Sequence, residues 1–226
     1  MLCTQNGRLQ GHFTADDLKY VRTVLAPSSG RAGEALGRLW EDPDALREIL
    51  DLREVFTSLL EEPHAVGVSP VFYFYVLARH ALLDAGIEEV ETAEYVSSVL
   101  AQRVEAVGAD PLHSVGRGFT RVADFITILQ RSHGRLRFHL QVAAGDQFMA
   151  LTGMFPAYLR KRAECRGTPG LEFYESFVQR VYRDASDNPL APVNAPKQTF
   201  GVLSEAFPAA RRALNRMADE YVFLGE

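Results

Sequence analysis

Eight consecutive residues, Val71-Phe72-Tyr73-Phe74-Tyr75-Val76-Leu77-Ala78, are apolar or aromatic whichever way they face. Ser69 precedes them as a good helix N-cap, Pro70 fits the first turn, and Gly86 is a natural stop. The spacing predicts a helix over 69–85. A helix that is hydrophobic all round must be enclosed by other elements, so the chain is expected to wrap around it. Arg79, His80 and Asp84 bring the only charge into this segment.

The flanking sequence supplies helices to do the enclosing. Thr14 caps a run in which Leu18, Val21 and Leu25 share a face. Asp42-Pro43 opens a helix that the apolar spacing carries to about Glu62, where Pro63 ends it. Further helices are expected over 88–107, 119–131, from Pro156 to Arg162, and over 171–184. Two more, 197–207 and 209–224, follow a Pro-rich loop at 186–196. In 135–142, Leu136, Phe138, Leu140 and Val142 alternate with polar residues as in a strand. No second strand is found to pair with it, and a lone strand leaves its backbone groups unsatisfied, so helix is preferred. The expected fold is all-α: one irregular bundle of nine or ten helices forming a single domain over 1–226, with 1–12 flexible.

Composition fits that reading. Of 226 residues, 47% are hydrophobic and 23% charged, close to the globular average. A chain of this length can bury a substantial core without metals or disulfides. The two cysteines, Cys3 and Cys165, are expected as free thiols, which favours a reducing cytoplasm. The N-terminal residues lack the apolar region of a signal peptide, and no apolar run is long enough for a membrane span. Net charge is −5, unevenly spread: residues 1–110 hold 9 Lys/Arg against 18 Asp/Glu, and the remainder 15 against 11. Overall acidity argues against general nucleic-acid binding.

Catalytic and metal signatures are missing from the sequence. The six histidines form no His-x-x-x-His pair, and Glu61-Glu62-Pro63-His64 is broken by its proline. There is no Gly-x-Ser-x-Gly elbow and no phosphate-binding glycine loop. No cofactor or metal is expected.

Two groups of polar residues stand out. Tyr73, Tyr75, Arg79 and His80 share the apolar helix. Asp146 lies in a second apolar stretch, Gly145 to Pro156, where an unpaired carboxylate would cost several kcal/mol. Together these five are the candidate pocket. Arg131, Arg135, Arg137, Arg160 and Arg162 form a candidate anion-binding set, since arginine forks suit carboxylate and phosphate.

The pattern Gly145-Asp146-x-x-x-x-x-x-Gly153-x-Phe155-Pro156, with Tyr174 and Tyr182 downstream, resembles a recurrent feature of uncharacterised bacterial all-helical proteins. The resemblance covers residues 140–185 and implies a fold type, with no activity attached. The expected function is therefore a non-enzymatic interaction or scaffold role, with a protein partner or self-association. The alternative is a small-molecule binder or enzyme with its pocket between the 70–85 and 145–156 helices.

Overall fold

The computed structural model describes residues 12–26, 30–61, 67–105, 122–166, 168–191 and 195–222. Within them the chain is all-α, an irregular bundle of eleven α-helices. They are α1 (Ala15–Leu25), α2 (Gly30–Trp40), α3 (Pro43–Leu50), α4 (Arg53–Glu61), α5 (Pro70–Asp84) and α6 (Val90–Glu105). After them come α7 (Val122–Arg131), α8 (Gly134–Met154), α9 (Pro156–Arg166), α10 (Leu171–Ser186) and α11 (Ala195–Met217). One turn of π-helix, Ala218–Val222, closes the described chain. The expected flexible tail, apart from His12, and residues 192–194 of the Pro-rich loop lie outside the described residues.

The apolar helix is buried as its sequence requires. Phe72, Val76, Leu77, Ala78 and Leu82 have no exposed surface, and α5 packs against α4, α6 and α11. Its cap is tied to that of α1. Thr14 and Asp17 form a capping box. Asp17, itself fully buried, also accepts the Ser69 backbone N–H at 2.6 Å and the Ser69 hydroxyl at 2.8 Å. The Ser69 oxygen in turn accepts the Phe72 N–H at 3.1 Å. One carboxylate thus serves the first turns of two helices.

Two features differ from the sequence-based expectation. The helix expected from Asp42 to Glu62 is two, α3 and α4, with a corner at Asp51-Leu52. Arg79 holds that corner: its Nε and Nη2 reach the two Asp51 oxygens at 2.9 and 2.8 Å, and its Nη1 donates to the Glu88 carbonyl at 2.7 Å. The 135–142 alternation is the helix preferred from the sequence, part of α8, where Phe138 and Val142 face inward one turn apart and Leu136 is 59% exposed.

The second difference is that residues 195–217 form one helix with Pro208 inside it. An interior proline deprives the carbonyl four residues earlier of its donor, here Ser204. Gln179 from α10 supplies the missing bond, Nε2 to Ser204 O at 3.1 Å. Pro156 does the same to Thr152 at the end of α8. There Asn215 of α11 donates to the carbonyls of Thr152 at 2.7 Å and Gly153 at 2.6 Å. Arg211, bonded to Glu175, donates to the Asn215 side-chain oxygen and fixes the amide. No helix among the described residues is long and apolar enough to cross a membrane.

Replacing Asn215 with Ala leaves two α8 carbonyls without their donor. The expected loss is about 1–3 kcal/mol, read as a lower urea midpoint at unchanged m-value. A change below about 0.5 kcal/mol would show that the amide does not support the end of α8.

Candidate functional site

The site is built where α6, α8 and α10 meet. Gly145 makes room for it: a Cβ there would lie 2.6 Å from the Tyr182 ring. Without one, the tyrosine lies against the α8 backbone with its hydroxyl beside the next residue, Asp146. Phe200 of α11 stacks on Tyr182 at 5.7 Å and 13°. The Tyr95 ring meets Phe200 edge-on at 5.4 Å. These three rings leave the two hydroxyls little freedom, and both donate to Asp146 Oδ1, that of Tyr182 at 3.0 Å.

Oδ2 is treated differently. It receives no hydrogen bond from the described residues. Asp146 is half-buried and forms part of the wall of a cavity of about 250 Å³, together with Val99, Gln102 and Arg103. Tyr95, Val99, Gln102 and Arg103 recur at helical spacing, so α6 turns one face to Asp146. Arg103 acts on Asp146 through its charge without forming an ion pair with it.

The electrostatics follow from this geometry. Burial pushes the Asp146 carboxyl up to about 6, against opposing pulls from the Tyr95 and Tyr182 hydroxyls and the Arg103 charge. Burial also pushes the Tyr182 hydroxyl well above its usual value, and the Asp146 charge pushes it further. Tyr182 therefore remains a protonated donor near neutrality. Chemically, the site offers one hydrogen-bond acceptor that changes charge in the mildly acidic range, a cation and an amide, around a small space.

The other residues of the candidate pocket have different partners. Arg79 is the clamp on Asp51 described above. His80 stacks on Phe56 at 4.4 Å and hydrogen-bonds the Leu50 backbone. Burial lowers the imidazole pKa, and Nε2 has no partner among the described residues. Both residues therefore secure the α3–α4 corner. Tyr73 donates to the Tyr221 carbonyl at 3.1 Å, and Tyr75 is buried beside Phe13, its hydroxyl without a partner among the described residues. Asp146 instead turns to α6 and α10.

The arginines divide into two groups. Arg131, Arg135 and Arg137 sit around the start of α8, and Arg160 and Arg162 lie in α9 beyond its end. From Arg137 to the end of α8 at Met154, about 25 Å of helix runs between the groups. Arg137 is engaged locally, with Nη1 donating to the Leu129 carbonyl at 3.1 Å. Among the described residues, no group of three or more His, Cys, Asp or Glu is placed to hold a metal ion.

Sequence reasoning missed Tyr95, Val99, Gln102 and Arg103. The available signal was the spacing Tyr95-x-x-x-Val99-x-x-x-Arg103, which interrupts an otherwise apolar helix face with a hydroxyl and a cation. Comparison with protein-family models, with curated proteins and with solved structures gives no match.

Asp146 gives the site a pH signature. Its proton is held more tightly in the folded chain, at a pKa of about 6 against the usual 3.8. Between those values the native state binds more protons, so stability falls as pH rises through the window. Relative to Asp146→Asn, the wild-type chain should lose up to about 3 kcal/mol between pH ~4 and pH ~7. The loss is smaller where cavity water solvates the charge. Urea unfolding of both proteins at the two pH values measures it. A relative gain for the wild type as pH rises would mean that Asp146 is stabilised as an anion.

Proposed function

We propose that this protein binds a small polar molecule in the cavity between α6 and α8. The unequal use of the two Asp146 oxygens carries the reading. Buried polar atoms that serve only the fold are normally satisfied by it. Here two tyrosines satisfy Oδ1, Oδ2 takes no bond from the described residues, and Asp146 lines the cavity. A carboxylate with a raised pKa at the wall of a cleft is the pattern associated with functional positions. The groups present recognise a ligand without requiring a covalent step, so the role is binding. The exposed free thiol of Cys165 suits a reducing, cytoplasmic setting.

Val99 is 6% exposed and lines the cavity. Val99→Phe should fill the space while leaving the rest of the core in place. A panel of amines, carboxylates, amino acids and polyols can be screened by amide NMR. Members that bind should move the signals of Val99, Gln102, Arg103 and Asp146 in the wild type and leave them unmoved in Val99→Phe. Binding unaffected by the substitution, or no perturbation by any member, would remove the reading.

The interaction role suggested by the sequence keeps one supporting observation. Ile128 and Leu136, 44% and 59% exposed, flank the α7–α8 elbow beside the exposed Arg131 and Arg135. A second copy of the chain, whose first 110 residues are acidic, has the charge to meet that elbow. Sedimentation velocity should then show self-association that weakens in Leu136→Ser and in added salt. A strictly monomeric wild type would dispose of it.

A further inference from the structure

Resting on the pocket reading above, we infer that the ligand is a small zwitterion, an amino acid or a close analogue. Its ammonium would lie on Asp146 Oδ2 and its carboxylate on Arg103. The assignment comes from the two unlike charges on the cavity wall. Oδ1 is saturated by Tyr95 and Tyr182, which fixes the carboxylate plane and leaves Oδ2 as the acceptor. The complementary group must be a donor, and a cationic donor gives the stronger, charge-assisted bond.

Arg103 shares the wall without closing onto Asp146. Two opposite charges that face a common space and do not pair directly can be joined by a molecule carrying both signs. A cation alone would answer Asp146 and leave Arg103 unmatched. An anion alone would answer Arg103 and approach a carboxylate. A guanidinium adds forked recognition, which suits a planar carboxylate.

Size and polarity point the same way. The cavity of about 250 Å³ far exceeds the ~30 Å³ share of one water, yet is small for a nucleotide or a cofactor. Val99 supplies its apolar wall and the exposed Gln102 carboxamide part of its polar lining. That combination accommodates a short aliphatic body between two charged ends.

The test is isothermal titration of the full chain near neutral pH with glycine, alanine, β-alanine and γ-aminobutyrate, against ethylamine and propionate. At least one of the four zwitterions should bind about tenfold more tightly than either single-charge compound. Asp146→Asn and Arg103→Gln should each weaken that zwitterion about tenfold or more. Arg103→Gln should also narrow its advantage over ethylamine. Circular dichroism and urea unfolding confirm that each variant is folded, and Asp146→Glu and Arg103→Lys provide milder changes at the same positions.

Ethylamine or propionate binding as well as every zwitterion, with loss in Val99→Phe, would overturn the ligand class and leave the pocket standing. Equal affinity in Arg103→Gln would also overturn it. Failure of all six compounds in titration, together with an empty NMR screen, would overturn both the class and the pocket.

Discussion

A proline inside a helix, or directly after one, poses a demand: the carbonyl one turn earlier must find another donor. In this chain the answers to two such demands tie the C-terminal half together. Ser204, freed by Pro208, takes its bond from Gln179 on α10. Thr152, freed by Pro156, takes its bond from Asn215 on α11. An unsatisfied buried carbonyl costs about 1–3 kcal/mol, so α8, α10 and α11 are specified by directional contacts as well as by apolar burial. Helix α11 also packs on α5 and α6. With α6, it joins the apolar helix and the Asp146 helix in one core.

The same economy explains why conspicuous residues on α5 have structural roles. Arg79 is 5% exposed, and a buried guanidinium is tolerable only with its donors used. Asp51 and the Glu88 carbonyl use three of them. His80, one residue on, secures Leu50 and Phe56. The pair holds α3 and α4 at an angle that their own apolar pattern, read as one continuous helix, does not contain.

Much of the fold was therefore legible and much of the site was not. Thr14, Asp42-Pro43 and Ser69-Pro70 mark helix starts because capping is local. The enclosure of Val71 to Ala78 follows from its having no polar face. The glycines of the second apolar stretch are legible as close-packing positions. Gly145 admits Tyr182, and a Cβ on Gly153 would be 3.0 Å from Leu214. The break at Asp51 and the continuity through Pro208 depend on Arg79 and Gln179, distant in sequence. The need of Asp146 for donors could be read from its surroundings. Their identity could not, because Tyr95 is 51 residues away and Tyr182 is 36.

The open cavity follows from how unequally α8 is approached by its neighbours. At Gly145 the missing side chain draws Tyr182, and with it α10, onto the α8 backbone. Helix α6 has no such notch to enter. It reaches α8 through the length of Tyr95, whose ring is held edge-on by Phe200, and α8 packs far more extensively on α10 and α11 than on α6. One and two turns beyond Tyr95, α6 offers Val99 and Arg103 to the cavity. Neither seals the gap: valine is too short, and Arg103 makes no ion pair with Asp146. Filling this gap with an apolar side chain would be the ordinary way to stabilise such a bundle. The chain instead keeps a carboxylate there whose burial opposes its charge.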